Sequence, residues 1–149
     1  MPKSQKNGAK KSILIVEDST DFANLMKFII EDDGFEGIPF PLDSEDFIGW
    51  VKEHDPATIL MDLALRRKNG MDYIEELKAD PETKDIPVII LTGRELNQKE
   101  VLALNVRGVK YLRKGRIEMD EIKKEIRDSA MPKKPVSPAA SGKKESGLP

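Results

Sequence analysis

Short apolar runs recur along the chain and alternate with stretches in which apolar side chains fall at helical spacing. Three runs are rich in β-branched residues: SILIV (12–16), ATILMDL (57–63) and PVIILT (87–92). Continuous apolar runs of this length are typical of strands buried on both faces of a parallel sheet. VKYLRK (109–114) is more polar, and Gly37 and Pro39 interrupt FEGIPF (35–40). These last two runs are therefore predicted as edge strands.

Five helices are predicted between and after these strands. Four of them show apolar side chains at helical spacing: Phe22, Leu25, Met26 and Ile29 in the first, Phe47, Trp50, Val51 and His54 in the second, Met71, Ile74 and Leu77 in the third, and Ile122 and Ile126 in the fifth. The fourth helix is marked by its start instead. That start is Asn97 followed three residues later by Glu100, which resembles a capping box. Ser19–Thr20–Asp21 begins the first helix, Gly34 ends it, and Pro81 closes the third. Alternating strands and helices with right-handed crossovers predict an α/β fold, a five-stranded parallel sheet doubly wound by helices.

In such a sheet, ligands bind beyond the carboxyl ends of the strands. The predicted strand ends carry Glu17 and Asp18, Asp62, Thr92 and Lys114. Three converging carboxylates repel one another unless a hard cation lies among them, and Mg²⁺ suits such ligands. An aspartate can also attack phosphorus to form an aspartyl phosphate, which a hydroxyl and an ammonium group would then stabilise.

Charge and composition narrow the classes of protein that remain. The overall net charge is −2, but residues 1–11 carry four lysines and no acid, and residues 131–149 are also basic, so residues 12–130 are strongly acidic. An acidic body argues against direct nucleic-acid binding. The chain has no cysteine, no apolar run long enough for a membrane span and no secretory signal, which favours a cytoplasmic protein without membrane contact.

The same distribution predicts one domain at 12–130 between two unstructured ends. We expect residues 1–11 to be a flexible basic N-terminus. The Pro-, Lys- and Ser-rich segment 131–149 has no apolar periodicity and is predicted to be disordered, either as a terminus or as the start of a linker to an output domain.

The spacing of the polar residues resembles that of the response-regulator receiver family over 12–130. The segments that carry the resemblance are ILIVEDS (13–19), ILMDL (59–63), VIILTG (88–93) and YLRK (111–114). Asp62 lies 44 residues after Asp18, 30 before Thr92 and 52 before Lys114, as in that family. The resemblance implies a flavodoxin-like (βα)5 fold and a single-domain phosphoacceptor of two-component signalling, with Mg²⁺ as cofactor.

Carried over position by position, the resemblance implies a role for each site residue. Asp62 would be the phosphorylation site, and Glu17, Asp18, Asp62 and the backbone carbonyl of Ala64 would hold Mg²⁺. Thr92 and Lys114 would bind the phosphoryl group, and Thr92 with Tyr111 would form the switch. Tyr111 is equally well explained as an ordinary half-buried strand aromatic.

Three features depart from the family pattern. Gly115 replaces the usual proline after Lys114, which predicts a trans peptide bond, a looser loop and a less firmly aimed lysine. Arg66 stands where the family tends to have proline, within a basic cluster of Arg66, Arg67 and Lys68 that is predicted to be a solvated loop rather than a site for an acidic partner. In this family two positions near the site tend to govern how water reaches the phosphoryl group, and the resemblance implies that they are Ala64 and Arg94 here. Neither side chain offers a carboxylate or amide to orient water, so we expect slow self-dephosphorylation, with Arg94 as a shield of the phosphate.

Two other functions compete with phosphoacceptance. An aspartyl-nucleophile phosphatase typically needs a second acid two residues after the nucleophile, where this chain has Ala64. The protein is therefore predicted not to be an enzyme, beyond catalysing its own phosphorylation and dephosphorylation. A degenerate receiver that acts as a constitutive binding module remains as the alternative. The expected partners are a sensor histidine kinase or phosphotransfer protein upstream and an unknown protein target downstream; His54 is expected to be a packed or surface residue rather than a phosphate relay.

Overall fold

The computed structural model describes residues 10–115 and 118–130 of the chain. The predicted disordered tail at 131–149 lies outside these residues, as does the predicted flexible N-terminus apart from residues 10 and 11.

Five strands and five helices alternate strictly along the chain. They are β1 (Ser12–Val16), α1 (Thr20–Asp32), β2 (Glu36–Pro39), α2 (Phe47–His54), β3 (Thr58–Met61), α3 (Gly70–Ala79), β4 (Val88–Thr92), α4 (Gln98–Val106), β5 (Lys110–Arg113) and α5 (Met119–Ala130). All neighbouring strands are parallel, in the order β2-β1-β3-β4-β5. The predicted fold is confirmed, and the two runs predicted as edge strands do form the edges of the sheet.

Alternation along the central strands divides the core into two layers. Leu14 and Val16 of β1 face one side of the sheet, whereas Ile13 and Ile15 face the other. Successive side chains of a strand point to opposite faces, so a strand between two helix layers must be apolar at every position. Helices α2, α3 and α4 cover the first face, and α1 and α5 cover the second.

Helix α1 begins where its sequence predicts but turns a different face to the core. The side chain of Ser19 accepts a hydrogen bond from the backbone N–H of Phe22, at 3.3 Å, and caps the helix. Leu25, which was predicted to face the core, is 44% exposed, whereas Ile30 is fully buried. Ile30 lies one position beyond Ile29, and the buried stripe of Met26, Ile29 and Ile30 rotates Leu25 toward solvent.

Helices α2 and α4 also follow their predicted sequence signals. The imidazole of His54 stacks on Trp50 with ring centroids 3.6 Å apart, and its Nδ1 lies 2.9 Å from the backbone carbonyl oxygen of Trp50. Asn97 and Glu100 form the reciprocal hydrogen bonds of a capping box at the start of α4, as predicted. No helix in the described part of the chain combines the length and the apolar character needed to cross a bilayer.

Candidate functional site

Three carboxylates meet at the carboxyl edge of the sheet because β1 and β3 are neighbouring parallel strands. Val16 is in register with Met61, and the backbone N–H of Asp62 donates to the carbonyl oxygen of Val16 at 3.0 Å. The residues that follow the two strands therefore lie side by side. One carboxylate oxygen from each of Glu17, Asp18 and Asp62 lies within 4.8 Å of the others. This arrangement of hard oxygen donors fits a divalent cation such as Mg²⁺.

Lys114, which follows the carboxyl end of β5, reaches the same cluster. Its Nζ lies 3.0 Å from Oε1 of Glu17 and 3.3 Å from Oδ2 of Asp62, and 4.2 Å from the centre of the Phe22 ring. The backbone N–H of Lys114 donates to the carbonyl oxygen of Thr92 at 2.8 Å, which ties the lysine to β4. Two carboxylates and an aromatic face thus hold the ammonium group in place.

Gly115 explains why proline is absent after Lys114. Its φ is +79°, a left-handed conformation that glycine adopts freely and that the proline ring, locked near −65°, cannot adopt. The Lys114–Gly115 bond is trans, as predicted. The expectation of a less firmly aimed lysine does not match the contacts of Lys114, because Glu17, Asp62 and Phe22 all lie against its ammonium group.

Burial and pairing shift the pKa values of two groups in the cluster. Burial raises the pKa of Glu17, and this effect exceeds the opposing effects of hydrogen bonds from Ser19 and Lys114. Burial alone would lower the pKa of Lys114, but its hydrogen bond to Glu17 and the charge of Asp62 raise it overall. Lys114 is therefore firmly cationic.

Thr92 and Tyr111 both contact the backbone of Arg94. Thr92 is the last residue of β4 and is 1% exposed, and its Oγ1 accepts a hydrogen bond from the N–H of Arg94 at 3.4 Å. The hydroxyl of Tyr111, which is half-buried on β5, donates to the carbonyl oxygen of Arg94 at 3.3 Å. The guanidinium of Arg94 pairs with Glu100 of α4 at 3.1 Å. The two residues predicted as a switch are thus linked to each other, and to α4, through one intervening residue.

Gly70 is a residue of the site that sequence reasoning missed. A Cβ atom at this position would lie 2.6 Å from the backbone carbonyl oxygen of Asp62 and 2.8 Å from Cα of Leu63, and the Gly70 N–H donates to the carbonyl oxygen of Leu63 at 3.0 Å. Only glycine allows α3 to start this close to the end of β3. The Asn69–Gly70 pair at the start of a predicted helix was the available signal.

The loop after β3 places a residue against each of two acidic side chains. The N–H of Ala64 donates to Oδ1 of Asp62 at 3.2 Å, and the N–H of Arg66 donates to Oδ2 of Asp18 at 2.9 Å. Lys68 pairs with Glu76 and lies 4.6 Å from the centre of the Tyr73 ring. The predicted solvated loop describes the exposure of Arg66 and Arg67, but Arg66 and Lys68 also have acidic partners within the chain.

A doubly wound parallel sheet with carboxylates, a buried threonine and a lysine at its carboxyl edge is the arrangement that the sequence predicts for a receiver domain. The family model of the response regulator receiver domain matches residues 13–127, and the chain belongs to this family. Receiver domains are signalling modules of two-component systems rather than classical enzymes, and they generally bind Mg²⁺ at an acidic pocket.

Individual relatives agree with this assignment. The chain is similar to the phosphate regulon transcriptional regulatory protein PhoB of Escherichia coli K12, with 32% identity over 70% of this chain and 45% of PhoB. It therefore spans about half the length of that curated relative. It is also similar to the polar-differentiation response regulator DivK of Brucella ovis, with 38% identity over 56% of this chain and 67% of DivK. The crystal structure of the Mn²⁺-bound form of response regulator Rcp1 superimposes with a TM-score of 0.62 and 29% identity, over 79% of this chain and 92% of Rcp1.

Proposed function

We propose that this chain is a signal receiver that accepts a phosphoryl group on Asp62 from a sensor histidine kinase or phosphotransfer protein. The observation that carries the proposal is the position of Asp62 beside both a cation and two other carboxylates. Its Oδ2 lies 3.3 Å from Nζ of Lys114. One of its carboxylate oxygens lies within 4.8 Å of carboxylate oxygens of Glu17 and Asp18. A nucleophilic carboxylate, a metal site and a cation are thus side by side.

The residues that would hold Mg²⁺ are Glu17, Asp18, Asp62 and the backbone carbonyl of Ala64. The donor set is all oxygen, which suits a hard cation, and the similarity to Rcp1, a response regulator with a Mn²⁺-bound form, supports a divalent metal here. When bound, Mg²⁺ would neutralise charge on the phosphoryl oxygens.

The transfer itself would be a single displacement at phosphorus. One carboxylate oxygen of Asp62 would attack the phosphorus of a phosphohistidine, so that a P–O bond forms and the P–N bond breaks. The histidine nitrogen keeps the electron pair of the broken bond, and a ring that carries a proton on its other nitrogen leaves as neutral imidazole. Lys114 neutralises developing negative charge on the phosphoryl oxygens. Thr92 would donate its hydroxyl hydrogen to one of these oxygens once that hydroxyl turns toward the site.

A rotation of the Thr92 side chain would change contacts at α4 and β5. Its Oγ1 would release the N–H of Arg94, whose carbonyl oxygen is the acceptor for Tyr111 and whose guanidinium pairs with Glu100. We propose that Thr92 and Tyr111 switch together in this way and change the surface formed by α4, β5 and α5 for a downstream protein. The acidic body disfavours nucleic acid as the direct target, and a kinase partner of this kind implies a cytoplasmic location.

Slow self-dephosphorylation remains part of the proposal, with Ala64 and Arg94 as its determinants. The exposed Ala64 side chain offers no group that could orient water. Arg94 would have to leave Glu100 to shield the phosphate. Arg94→Ala is expected to shorten the phosphoryl half-life; an unchanged half-life would exclude shielding.

Incubation with acetyl phosphate and Mg²⁺, followed by intact-mass measurement, tests the proposal. We expect wild type to gain the mass of one phosphoryl group and Asp62→Asn to gain none. Asp55→Asn is the matched control, since Asp55 is exposed and its φ of +49° suits asparagine. If the folded wild type gains no mass with any donor, the chain is instead a constitutive, non-phosphorylated binding module.

A further inference from the structure

Arg66 contacts the metal-site carboxylate of Asp18 in two ways. Its backbone N–H donates to Oδ2 of Asp18 at 2.9 Å, and its side-chain Nε lies 3.5 Å from the same oxygen. Forty-eight residues separate the two positions in sequence, so the contact exists only because the loop after β3 passes the end of β1. It directs a permanent positive charge at a carboxylate that faces the acidic cluster.

Every carboxylate of the cluster therefore has a cationic side chain beside it. Lys114 forms ion pairs with Glu17 and Asp62, and Arg66 forms one with Asp18. The two cations differ in exposure: the side chain of Lys114 is 20% exposed, whereas that of Arg66 is 84% exposed. An ion pair so open to water is weak and easily broken. Arg66 is the cation that can leave the cluster at little cost.

We propose that Arg66 determines the affinity of the site for divalent metal, by opposing Mg²⁺ at Asp18. The inference rests on the metal site of the proposed function. A guanidinium beside the Asp18 carboxylate repels an incoming dication and partly neutralises one of its ligands. Metal binding and the Arg66–Asp18 pair are thus coupled in opposite directions, and whichever forms weakens the other by the same factor.

Arg66→Ala isolates the guanidinium, because alanine keeps the backbone N–H that bonds Asp18. Arg67→Ala is the matched control: it removes the same charge from the adjacent, exposed position. Titration of the full chain with MgCl₂ by calorimetry, at fixed ionic strength and without phosphodonor, gives the affinity directly. We expect Arg66→Ala to tighten Mg²⁺ binding by about two- to fivefold, in keeping with an exposed ion pair. Arg67→Ala should change it clearly less.

The rise in Tm on saturation with Mg²⁺ provides a second measurement. It should be larger for Arg66→Ala than for wild type or Arg67→Ala, since a tighter ligand stabilises the folded state more. Equal affinities of the two variants would overturn the inference, because general electrostatics would then explain the effect. Weaker binding by Arg66→Ala would also overturn it, by showing that Arg66 helps to present Asp18. An absence of Mg²⁺ binding in every folded variant would overturn both this inference and the metal site of the proposed function.

Discussion

Helices α1 and α4 lie on opposite faces of the sheet and are attached to the core in different ways. Helix α1 buries Met26, Ile29 and Ile30, whereas Leu104 is the only residue of α4 that is fully buried. Both helices also expose large apolar side chains, Phe28 on one and Val106 on the other, so exposure does not separate them. The helices differ in the number of buried side chains that anchor them to the core.

This difference suits the roles proposed for the two sides of the site. Glu17 and Asp18 lie between β1 and α1, whose buried side chains attach the helix firmly to the sheet. Arg94 and Glu100 connect the other side to α4, which depends on its cap and on few core contacts. A helix with few buried anchors can shift at low cost. The carboxylates of β1 in the proposed metal site thus lie beside the firmly packed helix, and the proposed response lies on the weakly anchored side.

The largest expected effect tests the anchoring of α1. Ile30→Ala is expected to lower the free energy of unfolding by about 2–5 kcal/mol, because it removes a fully buried side chain and leaves a cavity. Leu102→Ala on α4, where the side chain is 62% exposed, should change it by less than about 0.5 kcal/mol. Urea unfolding followed by circular dichroism measures both. A loss for Ile30→Ala no larger than that for Leu102→Ala would show that Ile30 does not anchor α1 to the core.

A smaller effect is expected where α3 meets the end of β3. Gly70→Ala forces a methyl group against the backbone of Asp62 and Leu63 and is expected to cost about 1–3 kcal/mol and to slow phosphorylation by acetyl phosphate. Gly93→Ala is the matched control on the α4 side, because the nearest atom to its Cβ is Cδ of Lys114, at 3.9 Å. Unfolding and phosphorylation rates of the two variants measure the difference. Equal behaviour would mean that the end of β3 is not tightly packed.

The cap of α4 should matter more than its exposed surface. Asn97→Ala removes the capping side chain and is expected to lower stability by about 1 kcal/mol. Asn105→Ala, an exposed position within the same helix, should be neutral or slightly stabilising, since alanine is the better helix former. Amide hydrogen exchange should show the loss concentrated in α4. Uniformly faster exchange would mean that α4 unfolds only with the whole domain.

The smallest effect concerns the charge of Glu17. Burial raises its pKa in the folded state, so its ionised form lowers stability at neutral pH, and this cost disappears below the unfolded pKa of about 4. In EDTA, Glu17→Gln is therefore expected to be more stable than wild type at pH 7 and equal to it near pH 4. Urea midpoints across this range measure the difference. A variant less stable than wild type at pH 7 would show that the bond to Lys114 outweighs burial.

Much of the fold could be predicted from local pattern. The apolar runs gave all five strands, including the two at the edges, and helical spacing and caps gave all five helices. The face that α1 turns to the core was partly wrong, since Leu25 and Ile30 are both apolar and only packing chooses between them. The spacing of Glu17, Asp18, Asp62, Thr92 and Lys114 indicated that these residues belong together, because parallel strands deliver their ends to one edge.

Contacts between residues distant in sequence were decided by the tertiary structure alone. The pattern placed Lys114 at the carboxyl edge of the sheet, but its ion pairs with Glu17 and Asp62 depend on how the strands pack side by side. The contact of Arg66 with Asp18 likewise depends on the path of the loop after β3. Gly70 shows the same limit: the Asn69–Gly70 pair marks the start of a helix, but the need for glycine comes from the nearby backbone of Asp62 and Leu63, which the local sequence does not show. Periodicity records which side of an element is buried, whereas the partner of a charge or the space beside a backbone atom is known only once the elements are packed.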